Sequence, residues 1–157
     1  MVASKLVRLI ERHSDALATR LHGKLEESES TRVFAARVPR EEVTARESEI
    51  YKNLGEWLLT RTEADLAQRY REIGARRYRQ QVPLAELVWA IVLAKQNLWE
   101  FLNSEALPDG LPEVFGELDL VLMVGNFFDR AIHHAAQGYQ EACEQEAVAK
   151  IHKASVK

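Results

Sequence analysis

Cysteine occurs once in the 157 residues, at Cys143, so neither an internal disulfide nor a multi-cysteine zinc site can form. Glycine and proline are also scarce, at seven and four, which argues against a loop-rich or all-β protein. Neither sign of charge dominates. The 21 Lys and Arg stand against 24 Asp and Glu, which gives no global attraction to nucleic acid or to an anionic membrane. The opening "MVASKLVRLIERHSD" becomes charged too early for a secretion signal, and no uncharged run approaches the length of a membrane span. These absences leave a soluble, cytoplasmic protein as the expectation, with a chain long enough for one domain with a real core.

What is present is helical periodicity from end to end. Leu6, Leu9, Ile10, His13, Leu17 and Leu21 share one face of a first helix, Ser4 to Glu27. "ESESTRVFAARVPRE" reads as a connection, with Pro39 suited to opening a second helix that runs to Leu59. Thr62 with Asp65 forms a capping pattern for a third helix through Arg79. Pro83 opens a fourth, "PDGLP" at Pro108 to Pro112 is a turn, and a long fifth helix follows to Ala149. The expectation is an all-α, single-domain bundle of about five helices.

The fourth helix carries more apolar surface than one core stripe needs. Leu84, Leu87, Ile91, Ala94, Leu98, Phe101 and Leu102 make the stripe; Val88, Val92 and Trp99 widen it, and Trp89 lies beyond its edge. The last helix has two stripes, one through Phe128 and Ile132 and one through Leu120, Val124 and Phe127. Gly125, Ala131, Ala135, Gly138 and Ala142 would let another helix approach it closely. The surplus predicts a symmetric homodimer with Trp89, Val92, Trp99, Leu120, Val124 and Phe127 at its interface. The competing reading makes the fourth helix simply central in the bundle.

Chemistry is thinly represented. No Glu-x-x-His or His-Glu-x-x-His spacing occurs, and His133 and His134, about 100° apart on a helix, cannot readily share a metal. No glycine-rich phosphate loop or nucleophile elbow is present, so neither an enzyme nor a metal or other cofactor is expected. His13 lies within an apolar stripe and Lys95 within the widened arc beside Trp99. These three are the candidates for a ligand pocket, against a core histidine and a lysine whose stem lies on apolar neighbours. Arg69, Arg71, Arg76, Arg77 and Arg79 spread around the third helix and read as a solvated face with intrahelical pairs, not a nucleic-acid site.

"IGARRYRQQVPLAELVWAIVLAKQNLWEFL", "FFDRAIHHAAQGYQEA" and "LIERHSDALATRL" resemble, in that order, the centre, closing helix and opening helix of a known sensory domain. It is the N-terminal domain of RsbT co-antagonist (RsbR-type) stressosome proteins, found also in some bacterial sensor histidine kinases. Gln81 departs from the pattern, standing where a glycine is expected before "VPL". The resemblance implies a helical, dimeric, non-catalytic signal-input domain, and it allows a globin-like arrangement without haem. It also implies that the last ten or so residues extend, as helix, toward an output domain or protein partner. The alternatives are a small-ligand or haem-binding protein using His13, His133 or His134, and a stand-alone helical adaptor.

Overall fold

Two polar residues, His13 and Asn53, interrupt helices that the periodicity predicts as continuous. A computed structural model describes residues 5–106 and 118–156. In it α1 (Lys5–Arg12) and α2 (Ser14–Glu27) replace the first expected helix, and α4 (Arg40–Lys52) and α5 (Leu54–Leu59) replace the second. At both breaks a side chain reaches back four residues: His13 Nδ1 lies 2.9 Å from the Leu9 carbonyl, and Asn53 Nδ2 donates to the Glu49 carbonyl at 2.9 Å. Each side chain thus shares its carbonyl with the residue's own backbone N–H, at 3.2 Å for His13 and 3.1 Å for Asn53, and such back-bonding bends a helix. The connection between them is itself partly helical, with a short 3-10 turn at Glu29–Thr31 and α3 at Arg32–Arg37. Glu86 Oε1 accepts from the first free amides of α3, Val33 at 2.9 Å and Phe34 at 3.1 Å, where a helix N-terminus favours a carboxylate.

The third expected helix is α6 (Glu63–Arg79), opened by a reciprocal capping box between Thr62 and Asp65. It closes in a Schellman turn: Gln81 N donates to Tyr78 O and Val82 N to Arg77 O. That turn needs a left-handed residue, and Gln81 supplies it with φ of 61°. Next come α7 (Leu84–Ala106) and α8 (Leu118–Ser155). The turn expected at Pro108 to Pro112, and the start of the last helix at Pro112, lie outside the described residues. Among the described residues every element is helical, and one cluster of buried apolar side chains draws on all of α1 to α8. The fold is an all-α bundle.

The closest helix pair is α6 with α8. A Cβ at Gly74 would stand 2.0 Å from the Ala135 carbonyl oxygen, and one at Gly138 would stand 2.1 Å from that of Arg71. Backbone therefore rests on backbone at both points, which only glycine permits. Against α7, α8 runs antiparallel: Tyr139 donates to the Val82 carbonyl at 2.7 Å, whereas Lys95 meets Asp129 at 3.5 Å. The widened face of α7, Val88, Val92, Lys95 and Trp99, is half-buried, and Lys95 on it faces α8.

Candidate functional site

Charged side chains occupy core positions on two facing helices. On α4, Val43, Glu47 and Ile50 follow helical spacing, continued by Leu54 at the start of α5; on α6, Leu66, Tyr70, Ile73 and Arg77 do the same. The apolar members bury, and Glu47 and Arg77 are carried inward with them. Between them lies a cavity of about 50 Å³. Its walls are apolar, with Leu25 from α2, Ile91 and Ala94 from α7 and Phe128 from α8, and its polar groups are Arg46, Glu47, Arg69, Tyr70 and Arg77. Arg46, Glu47 and Arg69 keep partial exposure and form its rim.

Arg77 is the most enclosed of these charges, with its side chain 4% exposed. Its Nη1 donates to Glu42 at 2.5 Å and to Gln80 at 2.8 Å, and its guanidinium lies 5.4 Å from the Phe34 ring centre. Burial lowers its pKa from the usual arginine value. Glu42 also receives Arg76 and Gln80, and Arg76 first, then Arg77, holds its carboxyl at about 2 against opposing desolvation. Arg69 meets Glu49 at 2.7 Å and lies over the Trp57 ring at 5.4 Å. Glu47 is different. It lines the apolar-walled cavity, where desolvation outweighs the nearby Arg69 and raises its pKa to about 7. Tyr51 and Tyr70 are pushed up by the same burial.

The polar set is incomplete. The buried Nε atoms of Arg46, Arg69 and Arg77 have no hydrogen-bond partner, and a Glu49 oxygen in ion-pair contact with Arg69 lacks a well-directed bond. Buried donors without partners are uncommon. All three belong to arginines that line the one cavity.

The residues singled out from sequence fall elsewhere. His13 is exposed at the α1–α2 break, its ring 5.2 Å from that of Phe101. Lys95 pairs with Asp129, and Trp99 packs half-buried against the core. None of the three lines the cavity. Leu120, Val124 and Phe127 are buried within the one chain, Phe127 edge-on to Trp57 and Tyr70. They serve the core, so an interface on α8 would use other residues, such as Leu118 and Leu122, which are exposed. Trp89 is 39% exposed and Val92 half-buried. Arg77 corrects the reading of the basic run as a solvated face, because its partner Glu42 lies on another helix. His134 is buried with Nε2 2.8 Å from Glu63, which also receives Arg130 at 3.1 Å, while His133 is exposed. Among the described residues no group of three or more His, Cys, Asp or Glu could hold a metal, and no helix is long and apolar enough to cross a membrane.

The charged core positions were readable as a signal: Glu47 and Arg77 fall at stripe spacing, which residue type alone conceals. Among known families, the model described as "RsbT co-antagonist protein rsbRD N-terminal domain" matches residues 15–152. No curated protein and no solved structure gives a significant match.

Proposed function

The chain belongs to the RsbT co-antagonist N-terminal domain family, and from that membership we propose that it is a dimeric, cytoplasmic input domain that relays a ligand- or partner-induced change through α8. Domains of this family are regulatory parts of stressosome-type signalling, not catalysts. The observation that carries the relay is the course of α8. This helix of 38 residues, about 57 Å long at 1.5 Å per residue, contributes Phe128 to the cavity wall. It then rests on α6 at Gly138 and leaves the bundle. Its last hydrogen bond to the bundle among the described residues is from Tyr78 to Glu146. From Cys143 to Val156 every residue is exposed, Val148 and Ile151 by about two thirds.

Exposed apolar side chains on a projecting helix suit pairing with a second helix, here that of a second copy or of an output partner. The dimer face is completed by Trp89, Val92 and Trp99 on α7 with Leu118 and Leu122 on α8. Cys143 gives the test, being the sole cysteine and exposed where the helix leaves the bundle. A nitroxide label there reports one defined label-to-label distance in a symmetric dimer. Light scattering should find a dimer for the wild type and folded monomers for Trp89→Glu with Leu122→Glu. A monomeric wild type without dipolar coupling between labels rejects the dimeric reading.

A further inference from the structure

We propose that the cavity between α4 and α6 binds a small planar oxyanion of the carboxylate or nitrate type, held by Arg46, Arg69 and Arg77 with Glu47 donating to it as a neutral acid. The proposal deepens the input-domain reading and rests on it for its biological role, but binding stands on the cavity alone. Size fixes the class first. At about 50 Å³ the space exceeds the roughly 10–15 Å³ that one water needs, and falls well below the roughly 150 Å³ cavity that accommodates benzene. An anion of about three or four non-hydrogen atoms fits on this scale.

Chemistry narrows it further. The Nε–H groups of Arg46, Arg69 and Arg77 are donors only and make no hydrogen bond, Arg46 Nε keeping a long ion-pair contact of 3.8 Å with Glu42, and guanidinium forks match planar oxyanions in shape and charge. Charge decides between a water and an anion. Arg46, Arg69 and Arg77, with Arg76 on the outer side of Glu42, share two carboxylates, Glu42 and Glu49, leaving positive charge in excess. Either ionised Glu47 or a bound anion meets it. The groups facing Glu47 are Arg46, Glu49 and Tyr51 on its own helix and Arg69, Tyr70 and Arg77 on α6; α2, α7 and α8 present apolar side chains to the cavity. An anion and an ionised Glu47 would repel each other inside this enclosed space, so binding takes up a proton when Glu47 is ionised beforehand. With the Glu47 carboxyl at about 7, binding should be about tenfold weaker at about pH 8 than at about pH 6.

The experiment is a thermal-melt titration of the full chain with sodium formate, acetate and nitrate, against matched sodium chloride and sodium benzoate. The expected result is saturable stabilisation by at least one planar small anion beyond chloride, with benzoate inert because it exceeds the cavity. Arg46→Gln and Arg69→Gln, both at the partly exposed rim, should each weaken the apparent Kd about tenfold or more, as loss of a charge-assisted bond does. Glu47→Gln should bind the same anion with equal affinity at both pH values. Absence of any saturable effect over chloride overturns the proposal, as does binding indifferent to both arginine variants, or benzoate binding as well as formate. Saturable binding that leaves the label at Cys143 unmoved would keep the site and defeat the relay.

Discussion

Replacing Glu47 by Gln should stabilise the chain in anion-free buffer, and only above mildly acidic pH. Burial raises the carboxyl from 4.5 to about 7, so the folded chain holds this proton more tightly than the unfolded chain. Below about pH 4.5 the group is protonated in both states and contributes no difference. Between about pH 4.5 and 7 the unfolded chain ionises first, and stability falls by about 1.4 kcal/mol per pH unit. Above the folded value the loss is complete, at about 3 kcal/mol. Gln keeps the shape and cannot ionise, so Glu47→Gln should match the wild type near about pH 4 and exceed it by about 3 kcal/mol near about pH 8. For a chain of this size that corresponds to about 6–12 °C in Tm. Differential scanning calorimetry across the range measures it. A Tm difference that does not change with pH would refute the placement of Glu47 in a desolvated site.

Glu42→Gln should behave with the opposite sign, because Arg76 and Arg77 hold its carboxyl at about 2. Urea unfolding should show a deficit of about 3 kcal/mol near neutral pH that fades as pH falls from about 4.5 toward 2, and a deficit unchanged at about pH 2 would contradict it. Gln81→Gly should stabilise by about 1 kcal/mol, relieving the left-handed backbone at φ of 61°, offset in part by the lost bond from Arg37 to Gln81; an unchanged urea midpoint would count against strain there. Gly74→Ala should destabilise by about 3 kcal/mol or more, at or beyond the upper end of ordinary overpacking, because the obstacle is the Ala135 carbonyl and not a side chain that can rotate away. A wild-type midpoint for this variant would mean that α6 and α8 sit further apart.

Punctuation and periodicity carried most of the fold into view. Thr62 and Asp65 cap α6 as their spacing implies, and Pro39 and Pro83 precede helices. The expected glycine at position 81 coincides with a backbone conformation that glycine adopts without strain. Helix breaks at His13 and Asn53 were not legible, because they arise from side chains bonding to carbonyls one turn back, a choice that pattern alone does not reveal. The second apolar stripe of α8 was visible, but its partner was not: Trp57 and Tyr70 cover Phe127 within the same chain. The cavity was hidden for another reason. Glu47 and Arg77 stand at core positions, and their charge made them look like surface until two helices were seen to face each other.

The glycine contacts between α6 and α8 have a mechanical meaning. Where two backbones touch at Gly74 and Gly138, neither helix can slide along the other without climbing over a peptide group. A pair locked in this way would turn as one stiff body, with Arg69 and Arg77 on either side of the Gly74 contact and the exposed end of α8 on its long limb. From Gly138 to Ser155 that long limb measures about 25 Å. A rotation of about 5° about the contact, too small to repack a side chain, sweeps its tip through about 2 Å. Leverage of this kind would turn a sub-ångström adjustment in the interior into a displacement the size of a side-chain contact, at a distance where the interior itself is out of reach.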